Sequence, residues 1–354
     1  MATTIRVLLV DDSPVALAVL QRMISQIDGI TVVGLARDGA EALEMIQPLQ
    51  PDVICTDLHM PRVDGLMLVR AVMARHPIPI LVVSISVQQG EGDHNIFQLL
   101  DAGAIDVFPK PKGGLDESSP MMVQELASKI RILSGVIPVR RHGRTITPSP
   151  AQQEITATIT GTTAISPAAR LKLVAIGAST GGPQALMTLF SALPSTWSLP
   201  ILCVQHISHG FLTELIHWLA SCSTLPIQMA THGESPQKGR IYFPPEDRHL
   251  TIDTKGRFAF MAKEEHEYHC PSVDALFHSV ARYYGPYGTG ILLTGMGGDG
   301  AEGLLAMAQS GAMTIAQDEA SCVVFGMPRQ AIQRQAARRV LSLDAIAELL
   351  KRMA

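Results

Sequence analysis

The chain has 354 residues, of which 47% are apolar, 17% charged and 5% aromatic, a balance that fits two or three packed domains and excludes a low-complexity or disordered chain. So few rings leave little for stacking on nucleobases, which argues against a nucleic-acid-binding protein. The net charge of −4 is unevenly divided: residues 1–120 hold 8 Lys/Arg against 15 Asp/Glu, a balance of −7, and the remainder carries +3. Two units of opposite sign are implied, able to attract one another, and neither has the positive field of a DNA binder.

The first 110 residues alternate short apolar runs (Ile5–Val10, Ile30–Ala36, Val53–Thr56, Ile80–Ser84 and Ile105–Phe108) with amphipathic stretches. This pattern predicts five βα units forming a doubly wound parallel sheet. The first helix shows the logic: Ser13 caps it, Pro14 occupies its first turn, and Leu17, Leu20, Ile24 and Ile27 share one face. A helix is predicted near Met121–Leu133, followed by a Thr/Ser/Pro-rich linker from Ile137 to Pro167. From Leu171 the alternation resumes, with parallel strands predicted at Leu173–Ile176, Ile201–Gln205, Gly290–Thr294 and Met313–Ala316, and short antiparallel strands within Arg240–Met261. The resulting division is a first domain over 1–120, a helix and linker over 121–170, and a second α/β domain over 171–354.

Cys55, Cys203, Cys222, Cys270 and Cys322 are scattered without a CxxC pair, so neither a disulfide framework nor a zinc cluster is indicated. No apolar run reaches the roughly 18 residues of a membrane span, and the first residues lack the basic start of a secretory signal. A cytoplasmic location without membrane insertion is expected.

In a parallel α/β sheet, ligands gather at the carboxyl ends of the strands. Asp11 and Asp12 follow the first strand of this chain, Asp57 the third, Ser84 the fourth and Lys110 the fifth. Singly, each has an ordinary reading as a cap or a surface charge. Together, three carboxylates repel one another unless a hard cation binds them, and oxygen ligands of this kind suit Mg²⁺. With the run Asp57–Gly65 (DLHMPRVDG) and the pair Lys110-Pro111, this set resembles the receiver domain of two-component response regulators, with its flavodoxin-like sheet. The resemblance implies that Asp57 accepts a phosphoryl group from a histidine kinase, that Asp11, Asp12 and Asp57 hold Mg²⁺, and that Ser84 and Lys110 signal the change. Ile85 departs from the small residue that many receivers carry there, and its bulk is expected to slow phosphoryl exchange.

The second domain opens with LKLVAIG, then Gly177-Ala178-Ser179-Thr180-Gly181-Gly182, then an amphipathic stretch. A glycine-rich strand-to-helix turn can cradle phosphate, can present Ser179 as a nucleophile in Gly-x-Ser-x-Gly, or can use Ser179 simply as a cap. His206 ends the strand ILCVQ, and Asp299 lies in the glycine-rich loop after GILLT, so Ser, His and Asp all fall at strand ends. His209, His232, His249, His266, His269 and His278 are other candidate bases, in apparent loops or helix flanks, and Asp299 has an alternative reading as a turn residue. The order Ser179, His206, Asp299 differs from that of α/β-hydrolases.

GASTGG, Gln205-His206, Pro271–Asp274 (PSVD), TGMGGDG and Val323–Pro328 (VVFGMP) closely resemble the catalytic domain of chemotaxis protein-glutamate methylesterases of the CheB family. The resemblance implies a Ser179, His206, Asp299 triad that demethylates glutamate γ-methyl esters and deamidates certain glutamines without a cofactor for hydrolysis. Backbone donors at Thr180 and Met296 are expected to stabilise the oxyanion. The implied partners are the cytoplasmic helices of methyl-accepting chemotaxis receptors and a histidine kinase of the CheA type. A receiver docked over Ser179 is expected to block the substrate until Asp57 is phosphorylated, and salt is expected to weaken that docking. A non-catalytic signalling adaptor and a nucleotide-binding regulator are the alternatives.

Overall fold

The structure is a computed structural model that describes residues 4–85, 95–111, 120–136, 171–263 and 269–353. The expected linker from Ile137 to Pro167 lies outside the described residues.

In the N-terminal domain, strands β1 (Ile5–Val10), β2 (Ile30–Ala36), β3 (Val53–Thr56), β4 (Ile80–Ser84) and β5 (Asp106–Pro109) alternate with helices α1 (Pro14–Ser25), α2 (Gly39–Leu49), α3 (Gly65–Arg75), α4 (Asn95–Ala102) and α5 (Pro120–Leu133). The strand order is β2-β1-β3-β4-β5, and every pair is parallel. Successive connections leave β1 in opposite directions, which opens a crevice at the carboxyl ends of β1 and β3, where a doubly wound sheet binds ligands. Helix α1 begins as its residues dictate, with Ser13 Oγ accepting from Ala16 N at 3.3 Å and Leu17, Leu20 and Ile24 buried. Leu126, Ile130 and Leu133 of α5 join the apolar cluster of Val7, Leu9 and Phe108. This helix, read from sequence as part of the connection, is therefore a layer of the first domain.

The C-terminal domain contains β6 (Leu173–Ala178), α6 (Gly182–Ser191), β7 (Ile201–Gln205), α7 (Leu212–Cys222), β8 (Ile227–Met229), β9 (Ile241–Phe243), β10 (Arg248–Ile252), β11 (Phe258–Ala262), α8 (Val273–Tyr284), β12 (Gly288–Leu292), α9 (Ala301–Gln309), β13 (Met313–Gln317), α10 (Met327–Gln333), β14 (Arg339–Leu341) and α11 (Leu343–Lys351). Seven strands form a parallel sheet in the order β14-β13-β12-β6-β7-β9-β8, while β10 and β11 form a separate antiparallel ladder. Only β10 and β11 fulfil the expectation of antiparallel strands within Arg240–Met261. Strand β9 instead pairs in parallel with β7 and β8, because Ile241, Tyr242 and Phe243 are all buried and need cover on both faces. Strand β12 also begins two residues earlier than the apolar run suggested, its first residues being small and fully buried.

The two domains share a core. One apolar cluster contains Val82, Phe97 and Leu100 from the first domain together with Leu189, Phe211 and Trp218 from the second. Among the described residues no helix is long and apolar enough to cross a membrane.

Candidate functional site

The crevice of the first sheet collects the expected acidic residues. Asp11, Asp12 and Asp57 offer oxygens that all lie within 4.8 Å of one another, a hard donor set compatible with Mg²⁺. Lys110 Nζ lies 2.7 Å from both Asp11 Oδ2 and Asp57 Oδ2, and Leu58 N donates to Asp57 Oδ1 at 2.7 Å. Burial pushes the Asp57 carboxyl upward, with the Asp11 charge adding to it, and the Lys110 hydrogen bond and charge only partly offset this. Burial likewise opposes the charge on Lys110, but hydrogen bonds to Asp11 and Asp57 outweigh it and hold the ammonium above its ordinary range. A dication fits this crowded set because it relieves the repulsion that one lysine leaves. Ser84 is buried at the end of β4, its carbonyl accepting from Lys110 N at 2.8 Å. Ile85 beside it is 63% exposed.

In the second sheet, β6 delivers Ser179 to a tight turn. Gly182 N donates to Ser179 O at 2.7 Å, Ser179 N donates to Thr294 O at 3.0 Å, and Gly181 takes the left-handed conformation (φ 75°) that starts α6. A side chain at Gly295 would meet Ser179 Cβ at 2.6 Å, so this glycine lets the loop after β12 lie against the turn. That loop brings Met296 to the surface, 45% exposed.

His206 follows β7, and its Nε2 lies 2.8 Å from Asp299 Oδ2. Its Nδ1 is buried without a hydrogen-bond partner, so the ring is anchored on one nitrogen and free on the other, and the bond between His206 and Ser179 is not made in this structure. The amide of Gln205 ties the two turns together, donating to Ser179 O at 2.8 Å and to His206 O at 2.7 Å. In the sequence Gln205 is marked only as the polar residue that closes the apolar run Ile201–Val204, next to His206.

Asp299 sits on the N-terminus of α8. It accepts from Val273 N at 2.7 Å, from Asp274 N at 2.9 Å and from Ser272 Oγ at 2.9 Å. Burial alone would raise its pKa, but His206 and the N–H groups of Asp274 and Val273 prevail and hold the carboxyl well below the usual range. The carboxylate is therefore charged and aimed at His206.

The six other candidate histidines separate by position. His209 is exposed and pairs with Glu246 and Asp247 at 3.4 and 3.1 Å, His232 packs on Phe260, His278 lies within α8, and His266 lies outside the described residues. His249 is buried behind Ser272, whose N–H donates to its Nδ1 at 3.1 Å. His269 stacks on His206, with ring centroids 4.4 Å apart and planes 6° from parallel. Lost hydration on its stacked face, then the neighbouring His206, push the His269 imidazole down to about 4. No periodicity or motif in the sequence marks that stack.

The first domain seats itself against this site. Thr180 Oγ1 donates to Asp106 Oδ2 at 3.2 Å, and Lys129 Nζ holds the same oxygen at 2.8 Å. Gln184 Nε2 donates to Ala104 O at 2.8 Å, Ser208 Oγ donates to Glu125 Oε1 at 2.8 Å, and Phe97 stacks on Trp218 with centroids 5.3 Å apart. These contacts are hydrogen bonds and ring packing.

A phosphoacceptor receiver joined to a serine-hydrolase-like α/β domain is what the fold and the two sites define: a response regulator with an enzymatic effector. Residues 7–116 match the response regulator receiver domain and residues 174–350 match CheB methylesterase. The chain belongs to the CheB methylesterase family. It is 41% identical over 98% of both chains to a protein-glutamate methylesterase/protein-glutamine glutaminase of Hahella chejuensis, and 38% identical to one of Nitrosospira multiformis over 98% of this chain and 96% of the other. The crystal structure of the Thermotoga maritima CheB methylesterase catalytic domain superposes with a TM-score of 0.50 at 35% identity, covering 52% of this chain and 99% of that one.

Proposed function

We propose that this enzyme is a phosphorylation-regulated protein-glutamate methylesterase and protein-glutamine glutaminase, acting on the cytoplasmic helices of methyl-accepting chemotaxis receptors. The observation that carries the reading is the His206–Asp299 pair, held at 2.8 Å beside the Ser179 turn with its buried Nδ1 unpartnered. Ser179 Oγ attacks the γ-ester carbonyl, and its proton passes to His206 Nδ1 while Asp299 holds the Nε2–H. Backbone N–H groups of Thr180 and Met296 receive the oxyanion, each correctly aimed donor being worth roughly 3 kcal/mol. Collapse breaks the C–O bond to the methoxy group, and the proton on Nδ1 leaves with it as methanol. Water, deprotonated by His206, then cleaves the acyl-serine to give glutamate and restore the Ser179 hydroxyl. With a glutamine substrate the same steps expel ammonia.

Asp57 accepts the phosphoryl group from a histidine kinase of the CheA type. Asp11, Asp12 and Asp57 would hold Mg²⁺, which would supply charge to offset the phosphoryl oxygens, and Ser84 and Lys110 would contact those oxygens. The docked receiver binds Thr180 and Gln184 beside Ser179 and closes the approach of a helical substrate. Phosphorylation shifts the population towards the undocked arrangement. The test is methanol release from methylated receptor membranes, with and without a small phosphodonor. Release by the parent and none by Ser179→Ala is expected; equal release by both overturns the assignment.

A further inference from the structure

Asp299 is held by more than the helix that meets it. The hydroxyl of Ser272 carries one hydrogen and donates it to Asp299 Oδ1 at 2.9 Å, while its oxygen accepts from Ala275 N at 3.2 Å as the cap of α8. An N-cap serine ordinarily acts through its oxygen alone; here the Ala275 N–H occupies the acceptor side and leaves the proton for the carboxylate. The backbone N–H of Ser272 in turn donates to His249 Nδ1 at 3.1 Å. His249 is 2% exposed and belongs to β10, so the antiparallel ladder outside the main sheet reaches the site through one imidazole. Because Nδ1 accepts, the proton of neutral His249 resides on Nε2, and its tautomer is set.

Oxygen Oδ1 of Asp299 takes the Ser272 hydroxyl and Asp274 N, while Oδ2 takes His206 Nε2 and Val273 N. Without the hydroxyl, Oδ1 keeps a single donor and the carboxylate is less tightly fixed about its bond, so Oδ2 can drift from the His206 axis. We propose that Ser272 is a positioning residue for the hydrolytic reaction, orienting Asp299 towards His206, and that His249 holds Ser272 in place. The proposal rests on the Ser179, His206, Asp299 reading.

Full-length protein carrying Ser272→Ala, Ser272→Thr, Ser272→Asp or Ser179→Ala is assayed on methylated receptor membranes with a small phosphodonor. Ser272→Ala is expected to lower kcat roughly tenfold or more, the scale of one lost hydrogen bond to a charged group, with KM unchanged. Ser272→Thr retains the hydroxyl and restores kcat. Ser272→Asp keeps a capping oxygen but has no proton to give, so it keeps a cooperative melt and loses kcat. The low-field proton NMR signal of His206 Nε2–H moves in Ser272→Ala and returns in Ser272→Thr. Full kcat in Ser272→Ala or Ser272→Asp beside an inactive Ser179→Ala overturns the role of Ser272 and leaves the triad standing. A kcat loss that threonine does not rescue, with the His206 resonance unmoved, reduces Ser272 to a helix cap and also overturns it. An active Ser179→Ala removes the triad reading and this inference with it.

Discussion

The hydroxyl of Thr180 donates to Asp106 across the boundary between the two domains, at 3.2 Å, so the residue after Ser179 is bonded to the last strand of the other sheet. The same Asp106 oxygen is held by Lys129, which is itself only 14% exposed at its side chain. Asp106→Ala is expected to raise methanol release in the absence of phosphodonor. A hydrogen bond to a charged group contributes about 1.5–3 kcal/mol, so the docked-to-undocked ratio should fall roughly tenfold or more and phosphodonor stimulation should shrink. Basal release equal to that of the parent would show that this bond does not hold the docked state.

Asp299→Asn keeps the size of the carboxylate but presents an amide to His206 Nε2, forcing the wrong tautomer on a ring whose Nδ1 must accept the Ser179 proton. By analogy with other serine-hydrolase triads, kcat is expected to drop by about 10³–10⁴ with little change in KM. Single-turnover kinetics on methylated receptor membranes checks this, and a loss below tenfold would mean that Asp299 does not orient the base.

Chelation separates the two sites. Removing divalent metal with EDTA is expected to abolish phosphodonor stimulation, since Asp11, Asp12 and Asp57 then lack the cation that offsets incoming phosphoryl charge. Basal hydrolysis is expected to persist unchanged because no step at Ser179 uses the metal. Asp57→Asn should give the same pattern without chelator. Loss of basal release on adding EDTA would contradict a cofactor-free hydrolytic step.

His269 gives stability a pH dependence. Its folded value of about 4 lies below the ordinary 6.5, so between these values the unfolded chain binds the proton and the folded one does not. The contribution is present above about pH 6.5 and is lost as pH falls towards 4. Asp274 acts with the opposite sign: burial first, opposed by the Gly303 N–H and reinforced by the Asp299 charge, raises it from 3.8 to about 6, which favours the fold at low pH and is lost as pH rises through that value. The two slopes offset one another in the parent. His269→Gln removes one of them, so its melting temperature should fall less on acidification from pH 6.5 to 4 than that of the parent. Parallel curves for the two proteins would exclude the His269 contribution.

Much of this was legible in the residues, for identifiable reasons. Apolar runs such as Val7–Val10 and Ile201–Gln205 are buried on both faces, and a polar residue that follows such a run at its carboxyl end, as Asp11 and His206 do, is placed by the sheet itself. The three-residue strands β8 and β14 were not foreseen, because three residues carry no period and their burial depends on neighbours distant in sequence. Asp106 reads as an ordinary strand residue until a second domain supplies Thr180. The His269 stack and the double role of the Ser272 hydroxyl likewise arise from chain crossings that spacing does not encode, although PSVD marked the place where α8 begins. The charge split between the halves pointed to two units correctly, but the contacts that join them are mainly apolar and hydrogen-bonded. Basal activity should accordingly change by less than about twofold between low and high NaCl, because apolar contact is not screened as exposed charge is.

The apolar cluster that runs from Phe97 and Leu100 into Phe211 and Trp218 has a temporal meaning as well as a mechanical one. Parting the domains would wet side chains that are otherwise dry, so the open form of the proposed switch is uphill and would re-close once the phosphoryl group is lost. On the proposed reading, the lifetime of one acyl phosphate on Asp57 would be the clock, and re-hydration of a buried seam the spring that resets it.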